Sequence, residues 1–179
     1  MSAKVKFFIP FAVVIALLSG LIYVAGQQIL RIGANDPQIQ FAQDIASSLN
    51  SGNALQAVIP PSRVDMVNSL AAFVMVFDNT GALTLSTGEI NGKEPPVPAG
   101  VFDYVSKNGE DRFTWQPQTG VRNAVVVTKY KNGYVLVGRS LKEVEKREDN
   151  LLKMVILGGV VTMIATYASI LLLSPKQKK

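Results

Sequence analysis

Two uninterrupted apolar runs bracket the chain, and the residues between them change period several times. Phe7–Val24 and Met154–Leu173 contain no charged side chain. Each has roughly the 17–25 residues needed to cross a hydrocarbon core of about 30 Å. A charge at mid-bilayer costs on the order of 3 kcal/mol, so charge-free runs of this length predict two transmembrane helices, over 7–26 and 154–173. Gln27–Ile32 can prolong the first of them.

Between the runs, Asn35-Asp36-Pro37 predicts a fresh helix start, with an acidic cap and proline at the first helical position. Ile39, Ala42, Ile45, Ala46 and Leu49 follow at helical spacing, and Asn50-Ser51-Gly52 ends the segment. Pro60-Pro61-Ser62 opens a second short helix reaching about Leu70. Two apolar strand-like runs, 72–77 and 82–86, are then joined by the turn Asp78-Asn79-Thr80-Gly81. The stretch 93–100 carries three prolines and is expected as a loop. A short helix over 101–107 closes at Asn108-Gly109, and strands follow over 112–116, 122–130 and 134–139, the last two flanking a tight turn at Lys131-Asn132-Gly133. The fold class expected from this order is α+β: an antiparallel sheet of about five strands with helices on one face, flanked by the two membrane helices. The domain plan is a tail over 1–6, a span over 7–26, an outer domain over 27–140, a juxtamembrane helix over 141–153, a span over 154–173 and a basic tail over 174–179.

Charge fixes the expected orientation. The formal net charge is +5, which by itself suggests a nucleic-acid binder. Residues 27–153, however, hold 13 Lys/Arg against 13 Asp/Glu, and the whole excess lies in Lys4, Lys6, Lys176, Lys178 and Lys179. A balanced domain lacks the basic face that nucleic acid requires. Short Lys-rich flanks mark the cytoplasmic side, and a long loop crosses whatever its charge. Both termini are therefore expected inside and the domain outside, in the inner membrane of a bacterial cell, with the tail lysines near anionic lipid head groups. A cleaved signal peptide ending near Val24-Ala25-Gly26 competes with the first span, but its apolar region typically runs only about 7–15 residues, shorter than this one. The absence of cysteine is compatible with an extracytoplasmic domain and decides nothing.

The residues FVMVFDNTGALTLSTG (73–88), VRNAVVVTKYKNGYVLVGRSL (121–141) and KEVEKRED (142–149), in that order of elements, resemble the PAS-like extracytoplasmic sensor domains of the Cache (PDC) superfamily. The likeness extends over nearly the whole chain and is to the input half of bacterial sensor histidine kinases. It implies signal transduction of a two-component kind. The family usually continues into a HAMP, kinase, cyclase or methyl-accepting module, and this sequence carries none; with no histidine, it is not itself a phosphoacceptor of that type.

Leu141, Val144, Leu151 and Val155 fall at a/d-like spacing with Glu148 interrupting, and no Gly or Pro lies between Leu141 and Leu157. That predicts one helix from the sheet into the second span, serving either as a signalling rod or as a solvated connector. Small residues recur at four-residue spacing in both spans: Ala12, Ala16 and Gly20, then Gly158, Thr162 and Thr166. Such ridges allow helices to approach closely, within the chain, in a homodimer, or against a membrane-embedded kinase or receptor partner.

Catalytic signals are weak. With neither His nor Cys, the usual triads, thiol nucleophiles and common zinc sites are excluded, and no enzyme activity, cofactor or metal is expected. Ser140/Lys142 and the carboxylates Asp103, Glu110 and Asp111 suit ordinary surface better than a dyad or a carboxylate pair. The resemblance places a small-molecule pocket between the sheet and the segment before the third strand, near Tyr104, Arg112, Trp115 and Arg122. Arginine clamps carboxylates bidentately and the aromatics supply stacking area, although Trp115 as core and the arginines as surface is the plainer account. Two functions remain in competition: a membrane-anchored sensor or adaptor that passes its state laterally through its spans, and an envelope assembly protein that uses the domain as a docking surface.

Overall fold

The computed structural model describes residues 3–98 and 100–173; the basic tail over 174–179, with Lys176, Lys178 and Lys179, lies outside the described residues. Elements run in the order α1 (Ala3–Asn50), α2 (Leu55–Val58), β1 (Val64–Asp65), β2 (Phe73–Asp78), β3 (Leu83–Ser86), β4 (Gly88–Glu89), α3 (Val101–Asn108), β5 (Glu110–Gln118), β6 (Val121–Tyr130), β7 (Gly133–Ser140) and α4 (Lys142–Leu173). They form two units. One is a helix pair made of α1 up to Arg31 and α4 from Glu145; the other is a sheet domain over Ile32–Val144.

The helix start expected at Asn35-Asp36-Pro37 is absent: α1 runs through it unbroken. Proline in a helix interior costs about 3 kcal/mol, yet a break would orphan up to about four N–H and four C=O groups, each hydrogen bond worth about 0.5–1.5 kcal/mol net. Keeping one helix is the smaller loss. The short helix expected from Pro60 to Leu70 is also absent. The Asp65 carboxylate accepts from the Val67 N–H at 2.9 Å and from Asn68 Nδ2 at 2.7 Å, a side-chain turn that competes with helix. Val64 instead donates to the Thr87 carbonyl at 2.7 Å, and β1 pairs with β4 in parallel.

Five strands form one antiparallel sheet in the order β3-β2-β7-β6-β5. The β2–β3 turn is held by Asp78, whose Oδ1 accepts from Thr80 Oγ1 at 2.6 Å, the Thr80 N–H at 2.8 Å and the Ala82 N–H at 3.0 Å. The Thr80 hydroxyl first, then the Ala82 amide, hold this carboxyl below the ordinary aspartate range. Lys131-Asn132 form the two-residue link between β6 and β7, and Gly133 is required beside it because a Cβ there would collide with the Phe77 carbonyl.

Both faces of the sheet are covered, which corrects the expectation of helices on one face. Strand alternation sends Val74, Val76, Val126, Val135 and Val137 to one side, against Ala42, Ile45 and Ala46 of α1. Phe73, Met75, Phe77, Val125, Val127 and Leu136 go to the other, against Val101 and Val105 of α3. Two-sided burial explains why β2, β6 and β7 are nearly continuous apolar runs where one-sided strands would alternate with polar residues. Asn50 and Gln43 pin α1 at its domain end, the first accepting from the Lys131 N–H at 2.7 Å and the second donating to Glu110 Oε2 at 3.1 Å.

Candidate functional site

The sheet divides the four residues expected near a ligand pocket. Trp115 is 4% exposed and lies in the core on the α3 side, its ring 6.3 Å from that of Phe73. Arg112 stands opposite Val126 in the β5–β6 ladder, and Val126 belongs to the α1 side. The guanidinium of Arg112 accordingly sits on the other face from Trp115, with its Nε donating to Glu110 Oε1 at 2.6 Å. Arg122 has the same strand parity as Val126; it is exposed, and its carbonyl accepts from the Leu141 N–H at 2.8 Å. Tyr104 is 53% exposed on α3, whose inward positions are Val101 and Val105. The four residues do not converge. Among the described residues, no three of His, Cys, Asp and Glu cluster as metal ligands would.

The α3 side does hold a polar group that the sequence reading passed over. Asn123 is fully buried opposite Trp115 in the ladder, and neither atom of its amide has a hydrogen-bond partner among the described residues. Its signal was present: in VRNAVVV it shares parity with the inward-facing Val125 and Val127. Gln38 on α1 is likewise buried, with Oε1 unpartnered. A buried amide atom that neither the chain nor a bound molecule satisfies costs about 1–3 kcal/mol.

The four-residue ridges fall on both the covered and the open sides of the helix pair. Ala12 and Thr166 are half-buried, whereas Ala16, Gly20, Gly158 and Thr162 are exposed. The close approaches fall elsewhere. A Cβ on Gly26 would lie 2.6 Å from Leu151 Cδ2, and one on Gly159 would lie 3.1 Å from Ser19 Oγ. Phe8 and Tyr167 meet edge to face, with centroids 5.3 Å apart. Thr162 and Thr166 turn their hydroxyls back to the carbonyls of Gly158 and Thr162, each at 2.8 Å, which satisfies these polar groups within the helix, as an apolar surround would require. Glu148, which interrupts the a/d pattern, has its own partner: Arg31 Nε donates to Glu148 Oε1 at 2.8 Å, with the glutamate side chain only 13% exposed. An isolated sequence pattern cannot pair residues 117 positions apart.

Both helices are long and apolar enough to cross a membrane, their most apolar windows having mean hydropathies of 2.5 and 2.2. No protein-family model, curated protein or solved structure matches this chain.

Proposed function

We propose that this chain is a membrane-anchored extracytoplasmic sensory or adaptor protein of the bacterial inner membrane, with a PAS-like outer domain that passes its state to a partner through the membrane helices. The observation that carries this reading is where the chain crosses between its two units. Both crossings, after Arg31 and after Val144, fall inside unbroken helices. A loop at either crossing would absorb a displacement; a helix transmits it. Leu141 alone separates α4 from β7, the middle strand of the sheet. The hairpin β2–β3 and the meander β5–β6–β7 form one sheet, with α3 between them in sequence and packed on one face, and this succession supports the PAS-like assignment.

Burial of Trp115, with Arg112 and Arg122 on the opposite face, favours a second reading over small-molecule reception: a domain that serves as a docking surface for an envelope assembly. The two readings differ in coupling. Coupling between sites is reciprocal, so a constraint on the helix pair must alter a coupled domain. Ser19→Cys with Gly159→Cys supplies the constraint, since the two Cβ positions lie 3.9 Å apart, close to the mean of about 3.8 Å for disulfides. The chain has no other cysteine to compete. Hydrogen exchange of the full chain in lipid nanodiscs should then change several-fold in β7 and in α1 beyond Ile32 on oxidation. Identical exchange across 32–144 in the oxidised and reduced forms would contradict coupling and leave the docking reading.

A further inference from the structure

One side of the helix pair carries an apolar groove that ends on a cation. Its deeper part, about 520 Å³, is lined by Ile15, Leu18, Ile22, Gly158 and Thr162 among others. Its outer part, about 490 Å³, is lined by Gly26, Ile29, Leu30, Arg147 and Asn150. Leu151 and Met154 line both parts, so the two join end to end. We propose that this groove binds one phospholipid molecule, with an acyl chain along Ile22, Met154 and Gly158 and the phosphate on Arg147 and Asn150. The proposal rests on the membrane reading above.

Three observations favour that occupant. First, the groove matches one leaflet in length. From Asn150 to Thr162 the helix advances about 18 Å at about 1.5 Å per residue, against roughly 15 Å for half of a ~30 Å hydrocarbon core. Second, the polar end carries the charge a phosphate needs. Arg147 is exposed and makes no ion pair among the described residues, whereas the neighbouring Arg31 is already held by Glu148. A planar guanidinium binds phosphate oxygens bidentately, and Asn150 adds an amide donor. Third, the one hydroxyl on the α4 side of the deep groove is turned away from a ligand, because Thr162 donates to the Gly158 carbonyl at 2.8 Å. Lipid tails are as apolar as the groove wall, so the chain supplies fit and the phosphate supplies selectivity. A second copy is the competing occupant. Docked by this same face about a twofold axis, it would bring two Arg147 guanidiniums together.

Native mass spectrometry of the full chain released from detergent micelles tests this, with dioleoylphosphatidylglycerol and the phosphate-free dioleoylglycerol as probes. Expected is one phosphatidylglycerol retained per chain and no dioleoylglycerol. Gly158→Leu, which fills the groove at a position where an added Cβ meets no atom within 4 Å, should lower retention at least fivefold. Exposed Arg147→Ala should do the same and keeps the test valid if the glycine variant misfolds. Gly20→Leu, equally open but outside the groove lining, should retain lipid as the parent does. Equal retention in all variants, equal retention of dioleoylglycerol, or a dimer that is lost with Gly158→Leu in place of bound lipid would each overturn the proposal. Carbonate extraction separates the two claims. A chain released from membranes by carbonate sinks both the membrane reading and the groove, whereas a chain that stays without selective lipid sinks the groove alone.

Discussion

Asn123 shows how far a single residue can depart from the pattern around it. It sits close to the valine run of a central strand, yet its amide has no partner among the described residues. Removing a buried polar group together with its unmet demand is neutral or stabilising. Asn123→Val, which also suits a strand, is therefore expected to raise stability by about 1 kcal/mol, read as a higher midpoint in thermal denaturation of the full chain. A loss of similar size would mean that the amide is satisfied by a bound molecule, and would make this position, rather than the Tyr104, Arg112, Trp115 and Arg122 set, the place to look for a ligand. The contrast between Trp115 and the two arginines is also a residue-scale lesson. The resemblance implies a shared pocket, but strand parity sends Trp115 to one face and Arg112 and Arg122 to the other.

At the scale of elements, what the sequence showed clearly was whatever depends on local chemistry. The Asp78-Asn79-Thr80-Gly81 turn, the strands on either side of it, the hairpin at Lys131-Asn132 and the helix before Asn108-Gly109 all lie within a residue or two of their expected places. Their causes are local: an aspartate that accepts three hydrogen bonds, and a glycine where a Cβ would collide. The misses have non-local causes. Pro37 was expected to open a helix, and the cost of breaking α1 overrides it. The second face of the sheet was hidden because β2, β6 and β7 are apolar on both sides, and a run without alternation does not reveal how many faces are covered. Gly26 and Gly159 were passed over because what makes them necessary, Leu151 and Ser19, lies more than a hundred residues away. Pro37 also provides a test. It is exposed and four residues after Gly33, so Pro37→Ala removes no packing and restores the N–H that the Gly33 carbonyl lacks. The substitution should stabilise the chain by about 1–3 kcal/mol, seen as a raised denaturation midpoint. A fall in the midpoint would show that α1 is not continuous at this point in solution.

At the scale of the whole molecule, two units share two helices. The sheet domain obtains one cover from α1 and continues into α4 one residue after its middle strand, while the remaining lengths of both helices form the apolar pair. That sharing is the basis of the proposed adaptor or sensor role, and the proposal requires the apolar pair to lie in a bilayer with the sheet outside. Because the chain has no cysteine, single substitutions report this without background. In intact cells, Lys107→Cys, exposed at the end of α3, should react with a membrane-impermeant maleimide, and Lys4→Cys should react only after the membrane is permeabilised. Labelling of Lys4→Cys in intact cells, or protection of Lys107→Cys until permeabilisation, would contradict the account.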